Sequence, residues 1–298
     1  MNYLSKNLRY LATMCVAAVI GIAATNAIGQ DTAKAVAKSD KSEYKSRGFC
    51  ENNNWSGNDR VSANDLRELT VSSNGTLNVD AGANGGISVK GEDRSDVLVR
   101  ACVQAWGATD GEARAAIASI RINTSGEIKA EVPSELKNWS VSYEIRVPRS
   151  SNASLKAHNG GISISNVEGN LEFNTTNGGV NVSNAAGTVK GRTANGGVNV
   201  TLSGTSWKGT GIDVQTTNGG VNLTIPENFQ ANIETGTVNG GFRSNIPSLN
   251  VTTEDVKGDN WTRSRSKRLN LALNGGGAPV RVVTTNGGVT INTPDKDK

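Results

Sequence analysis

Along most of this chain, apolar residues recur at every second position behind a fixed turn. Ile87 and Val89, Ile162 and Ile164, Val180 and Val182, Val198 and Val200, Val221 and Leu223, and Val289 and Ile291 all stand at the same offset after an Asn-Gly-Gly segment. A period of two is that of a β-strand, whose successive side chains face opposite sides. The segments begin at Asn84, Asn159, Asn177, Asn195, Asn218, Asn239, Asn274 and Asn286, and from Asn159 to Asn239 the steps are 18, 18, 23 and 21 residues. Thr stands two places before the turn at Thr175, Thr193, Thr216, Thr237 and Thr284, so the repeating unit is Thr-x-Asn-Gly-Gly-apolar-x-apolar.

Gly accepts positive φ without a Cβ penalty and Asn tolerates the left-handed region, which suits both to a tight corner. Asn-Gly is also the usual type I′ hairpin turn, so a meander of antiparallel hairpins is the alternative architecture. The constant offset of the apolar residues favours copies stacked in register, a parallel β-solenoid. Stacked Asn side chains at Asn84, Asn159, Asn177, Asn195, Asn218, Asn239 and Asn286 would then form a hydrogen-bonded ladder. Further strand fragments lie between the corners at Leu171 to Phe173, Thr188 to Lys190, Ile212 to Val214 and Ile233 to Thr235, with Pro226 and Pro247 falling between fragments. The copy at Asn274 runs into Gly277 and Pro279, and is expected to be a loop feeding a last true rung at Asn286.

The N-terminal half departs from this pattern. Lys6 and Arg9 precede an uncharged apolar run from Tyr10 to Ala24, so residues 1–29 read as a secretory signal peptide cleaved before Gln30, or alternatively after Ala27. A retained membrane anchor is the competing interpretation of this run, which is short for a bilayer span. Residues 30–47 lack an apolar face and read as a flexible lead. Asp110 to Ile120 is rich in helix formers and predicts one short helix, flanked by strands at Asp96 to Ala105 and Trp139 to Val147. Trp55, Trp106 and Trp139 fall in this half and are expected to pack in a cap closing the end of the solenoid. The expected divisions are therefore an N-terminal β part over 48–150 with the helix, a repeat region over 151–293 and a tail over 294–298.

Composition fits a thin, ordered β protein. The 298 residues include 35 Gly and 35 Asn, with 36% apolar and 19% charged residues. Removing residues 1–29 leaves 29 basic against 27 acidic residues, so the basic isoelectric point is no signal for nucleic acid. Arg263, Arg265, Lys267 and Arg268 alternate with Ser264 and Ser266 as on a solvated strand face, although anionic glycans or lipid headgroups remain partners that charge would attract. Cys50 and Cys102 survive processing into a compartment where disulfides persist, and a bridge between them is the natural inference over two free buried thiols. Two cysteines and one histidine do not make a structural zinc site, and none is expected.

Catalysis finds little support. From Asn159 to Ser244 the acids Glu168, Glu172, Asp213, Glu227 and Glu234 share no common offset, and the adjacent pairs Glu92 with Asp93 and Glu254 with Asp255 point to opposite faces of any strand. His158 occupies a variable repeat position, no Ser sits in a Gly-x-Ser-x-Gly turn, and the corners carry no calcium-binding Asp. Trp207 and Trp261 stand among polar residues, where an exposed indole would stack on a sugar or anchor a partner; the competing role is to cover a rung edge.

The ordered Asn-Gly-Gly series, with segments AHNGGISISNVEGN and TTNGGVNL, resembles a bacterial "putative adhesin" family of β-strand-repeat domains of unknown function, over roughly residues 65–293. The resemblance implies an exported β-repeat domain with an adhesive role and no catalytic residues. The expectation is thus an all-β protein, a β-solenoid with one short helix. It would act in the periplasm, at the cell surface or outside the cell as a non-catalytic adhesin or envelope-binding module. A structural periplasmic scaffold is the alternative, and a carbohydrate-active β-helix enzyme a more distant one. Its partner would be a surface, envelope or glycan ligand, with no cofactor, no nucleic acid and no transmembrane segment in the mature chain.

Overall fold

The alternation of small apolar side chains builds two large sheets whose inner faces share one core. The computed structural model describes residues 48–50, 60–246, 252–255 and 265–294. The expected leader over 1–29, the lead over 30–47 and the last four residues lie outside them, as do Trp55, Pro247 and Trp261. Among the described residues there is one α-helix, and no helix is long and apolar enough to cross a membrane.

The N-terminal part comprises β1 (Val61–Ser72), β2 (Thr76–Asp80), β3 (Ile87–Glu92), β4 (Asp96–Gly107), α1 (Asp110–Ser119), β5 (Arg121–Asn123), β6 (Glu127–Glu131) and β7 (Trp139–Pro148). Next come β8 (Asn152–Ala157), β9 (Ile162–Ser165), β10 (Glu168–Asn177), β11 (Val180–Ser183), β12 (Ala186–Asn195), β13 (Val198–Thr201), β14 (Gly211–Asn218) and β15 (Val221–Thr224). The C-terminal part holds β16 (Ala231–Asn239), β17 (Phe242–Ser244), β18 (Thr252–Asp255), β19 (Arg265–Leu273), β20 (Pro279–Asn286) and β21 (Val289–Asn292). Each Asn-Gly-Gly segment from Asn84 to Asn239, and again at Asn286, carries the chain from a strand of one sheet to a strand of the other.

From β8 to β15 the pairing within each sheet is parallel and in register, which excludes the antiparallel meander there. Ile162, Val180, Val198, Val221 and Val289 stand side by side across five strands, all buried. In the facing sheet Leu171, Val189, Ile212, Val280 and Ile233 do the same. Such equivalent neighbours are the packing units of a sheet and explain why the repeat keeps Val and Ile at fixed offsets. The result is an all-β, β-solenoid-like repeat.

Glycine is required in the turns for a reason different from the one expected. Apart from Gly85 at φ 148°, the glycines of the Asn-Gly-Gly turns at Asn84, Asn159, Asn177, Asn195, Asn218, Asn239 and Asn286 do not have positive φ, and neither do those asparagines. Steric approach decides instead: a Cβ on Gly178, Gly196, Gly219 or Gly287 would lie 2.0–2.1 Å from the carbonyl oxygen of the first glycine in the adjacent turn. Positive φ appears at Asn166 and Asn184, which follow β9 and β11, and at Asn274.

The C-terminal strands are not stacked in chain order. The larger sheet runs β14–β20–β16 and the smaller one β15–β21–β17, so the last repeat is inserted between its two predecessors. The segment after Asn274 does feed β20, but it crosses over the start of β16 to do so. Asn274 pins that crossing by donating to the carbonyls of Glu227 at 3.0 Å and Phe229 at 2.9 Å, while Asn232 donates to Gly277 at 2.7 Å.

At the other end β4 runs antiparallel between β1 and β7, and α1 covers the core with Ala113 and Ile117 buried. Thr109 caps the helix by accepting from the Glu112 amide at 3.2 Å. Arg67 on β1 serves the other terminus, donating to the carbonyls of Ile117 at 2.9 Å and of Ile120.

Candidate functional site

One row of side chains runs the length of the repeat. Asn159 donates through Nδ2 to Asn84 Oδ1 at 3.1 Å, and Asn177 to Asn159, Asn195 to Asn177, Asn218 to Asn195, Asn286 to Asn218 and Asn239 to Asn286 follow at 2.8 Å each. All these amides point the same way, so their dipoles reinforce one another. Beneath them, the buried Thr175, Thr193, Thr216 and Thr284 donate to the carbonyls of Gly160, Gly178, Gly196 and Gly219 at 2.7–2.8 Å. This explains the Thr two places before the turn: the residue is buried while its hydroxyl ties the strand to the preceding turn of the stack.

The amide row terminates at Asn84, whose Nδ2 reaches, among the described residues, only the Trp139 carbonyl at 3.4 Å. Here the neighbouring strand is β7, which arrives from Asn138 and Trp139 and carries no Asn-Gly-Gly turn. A cleft of about 600 Å³ opens at this end, within the usual range of small-molecule sites. In β4 Val97, Val99, Ala101, Val103 and Ala105 are buried toward the core, so the alternation turns Trp106 to the outer face. Ser140 and Ser142 share that face, because they pair with Gln104 and Cys102. Asn84, Asn138 and Asn159 supply amides, and the exposed Arg60 and Lys137 are the charged lining residues. Arg60 donates to Asn138 Oδ1 at 3.0 Å, and Lys137 to the Ser134 carbonyl at 2.7 Å. A second cleft adjoins the first and shares Arg60, Trp106 and Asn138. The cleft thus combines an indole, several donors and acceptors and a positive rim; among the described residues no carboxylate lines it, and Glu112 stands in the adjoining cleft.

The other singled-out residues are placed as follows. Cys50 and Cys102 form a disulfide across 52 residues of sequence. Trp207 does not present an exposed indole: it is 9% exposed, belongs to the core and donates Nε1–H to the Gly187 carbonyl at 3.0 Å. Trp261 lies outside the described residues. His158 is exposed. Glu92 faces Lys90 at 3.1 Å, and Asp93 accepts from Arg149 at 2.8 Å. Among the described residues no group of three or more His, Cys, Asp and Glu side chains lies close enough to hold a metal ion.

Sequence reasoning assigned Trp106 and Trp139 to a cap and missed the cleft beside them. The parity of β4 is the signal that would have found it, since an unbroken alternation of Val and Ala leaves Trp106 on the wrong phase for the core.

The family model described as Toastrack DUF4097 matches residues 58–292. Among solved structures, a "putative cell adhesion protein" from Clostridium sporogenes ATCC 15579 is similar over 78% of this chain and 100% of its own, at 12% identity and a TM-score of 0.40. A "putative adhesin" from Bacteroides fragilis NCTC 9343 is similar over 77% of this chain and 97% of its own, at 11% identity and a TM-score of 0.27. A "putative lipid binding protein" from Parabacteroides distasonis ATCC 8503 is similar over 78% of this chain and 97% of its own, at 11% identity and a TM-score of 0.26. No curated protein matches the chain.

Proposed function

Since the chain belongs to the Toastrack DUF4097 family, we propose that it is an exported, non-catalytic binding module, an adhesin of the cell envelope or cell surface. In this reading residues 1–29 are removed on export and 30–47 form a lead. Residues 48–150 then carry the helix, the disulfide and the binding end, ahead of a repeat body over 151–293 and a tail. The Asn-Gly-Gly turns are the corners of stacked solenoid rungs, which make the body a stiff spacer. The observation that carries the reading is the cleft at Trp106, where an indole and convergent amides and hydroxyls meet without an acid and base pair. Such a lining supports holding a ligand and supplies no groups for transforming it. A disulfide joining Cys50 to Cys102 suits a chain that works outside the cytoplasm.

A structural scaffold is the second reading, and the continuous amide row from Asn84 to Asn239 favours it, because that row reinforces the body. Protease shaving of intact cells, with a periplasmic control protein, separates the two. Cleavage of this chain while the control survives supports a surface adhesin. Protection removes surface adhesion and leaves the envelope-internal scaffold. For the more distant enzyme reading, turnover of a polysaccharide panel is the test.

A further inference from the structure

We infer that the cleft between Trp106 and Asn84 is a binding site for an acidic glycan, a saccharide bearing uronate carboxylates. The inference deepens the binding-module reading and rests on it.

Three features of the lining identify the ligand class. First, Trp106 is half-buried on the outer sheet face and lines the cleft with its indole. The flat, apolar face of a pyranose ring matches such a surface. Second, the polar groups around it are amides and hydroxyls: Asn84, Asn138, Asn159, Ser140 and Ser142. They both donate and accept, as a ligand dense in hydroxyls requires. Among the described residues no Leu, Ile, Val, Met or Phe lines the cleft itself, and Leu136 belongs to the adjoining one. Third, among the described residues the charged ones lining the cleft are Arg60 and Lys137, both exposed. Two cations lining the cleft favour a ligand with carboxylates and hasten its arrival.

The amide row adds direction. Its six bonds from Asn239 down to Asn159 all donate toward Asn84. At Asn84 the row meets, among the described residues, a carbonyl at 3.4 Å, a long contact that leaves this donor able to take a better acceptor. A sugar oxygen placed against Trp106 would take that bond, and the aligned amides behind it would strengthen the donor. Gly85 and Gly86 line the same spot, so no side chain of those two residues stands between Asn84 and a ligand.

The test is calorimetric titration of the exported chain with tetrasaccharides of galacturonate, mannuronate and hyaluronan, and with maltotetraose as the neutral comparator. At least one uronate is expected to bind, more weakly as salt is raised, and maltotetraose far less. Trp106→Ala and Asn84→Ala are each expected to weaken that binding by about tenfold or more. Lys137→Glu, at an exposed position with no role in the core, is expected to weaken it several-fold while the folded spectrum is unchanged. Silence with all three uronates, equal binding of maltotetraose, or a Lys137→Glu variant that binds as well as the parent would each overturn the proposal. Retention of the chain on intact bacterial envelopes is measured alongside. Retention that survives Trp106→Ala sinks the cleft alone, whereas absence of retention in the parent sinks the binding-module reading.

Discussion

Arg281 donates through Nε to Glu234 at 3.1 Å although 47 residues separate them, and through Nη1 to Asp213 at 2.7 Å. Both acids lie directly opposite Arg281, one on each strand that flanks β20. The inserted strand therefore carries the one charge that fits between two carboxylates. The same device recurs at the other end, where Arg100 on β4 pairs with Glu68 on β1 at 2.8 Å and Glu144 on β7 at 2.7 Å. Guanidinium suits the role because its fork serves two partners at once. Without β20, Asp213 and Glu234 would be brought toward each other as like charges, so the pair also disfavours stacking β16 directly on β14.

Arg281 is accordingly expected to set the order of the strands more than it adds to total stability. Its side chain is 33% exposed, so Arg281→Leu is expected to lower unfolding stability by about 1 kcal/mol. Arg281→Glu places three acids in a row and is expected to release the last repeat. Urea midpoints measure the first effect. Protease nicking between Asn245 and Pro279 reports the second, and a parent-like digestion pattern for Arg281→Glu would refute the ordering role.

Neighbouring glycines give a sharper contrast. A Cβ on Gly196 would stand 2.1 Å from the Gly178 carbonyl oxygen, whereas one on Gly197 would meet the Gly220 oxygen at 3.5 Å, an ordinary contact. Gly196→Ala is expected to cost about 3 kcal/mol or to prevent folding, and Gly197→Ala less than about 1 kcal/mol. Thermal melts of the two variants decide it, and equal melting temperatures would remove the close-approach explanation.

What could be read in advance follows from what repeats. Strand phase and the Asn row are local regularities that every copy restates, and the helix at Asp110 shows in its own run of helix formers. The insertion of β20 appears once, and it goes with a long-range fit of Arg281 to Asp213 and Glu234. No spacing in the chain announces that fit. Trp207 illustrates a different gap: polar neighbours such as Ser206 and Lys208 suggest exposure, yet the indole folds under and bonds to Gly187. Side-chain burial in a loop depends on the partner strand, which local polarity does not encode. The cleft at Trp106 was half legible, since strand parity marks the residue but says nothing of Asn84 and Asn159 converging there.

Acid should loosen the N-terminal end. Burial alone would push Glu144 up, but the hydrogen bonds and charge of Arg100, joined by those of Arg146, hold its carboxyl below the usual range. A depressed folded pKa contributes stability that is fully present above the unfolded value of about 4.3 and is lost as pH falls through the folded value. Glu144→Gln is therefore expected to be less stable than the parent near neutral pH, with the gap closing below about pH 4. Denaturation midpoints measured across that range test it, and a gap independent of pH would show that the pair contributes nothing through charge.

Tyr143 tests a different kind of cost. Its ring is 1% exposed on β7, and its hydroxyl has no hydrogen-bond partner among the described residues. Burial, with a smaller push from the charge of Asp80, raises the phenol far above its ordinary range, so it is uncharged near neutral pH. An unsatisfied buried hydroxyl costs about 1–3 kcal/mol, while the ring itself contributes fully to packing. Tyr143→Phe keeps the ring and removes the orphaned group, so it is expected to match or exceed the parent in melting temperature. Tyr143→Ala, which removes the ring as well, is expected to lose about 3–5 kcal/mol. A clear loss of stability in Tyr143→Phe would mean that the hydroxyl is bonded in solution.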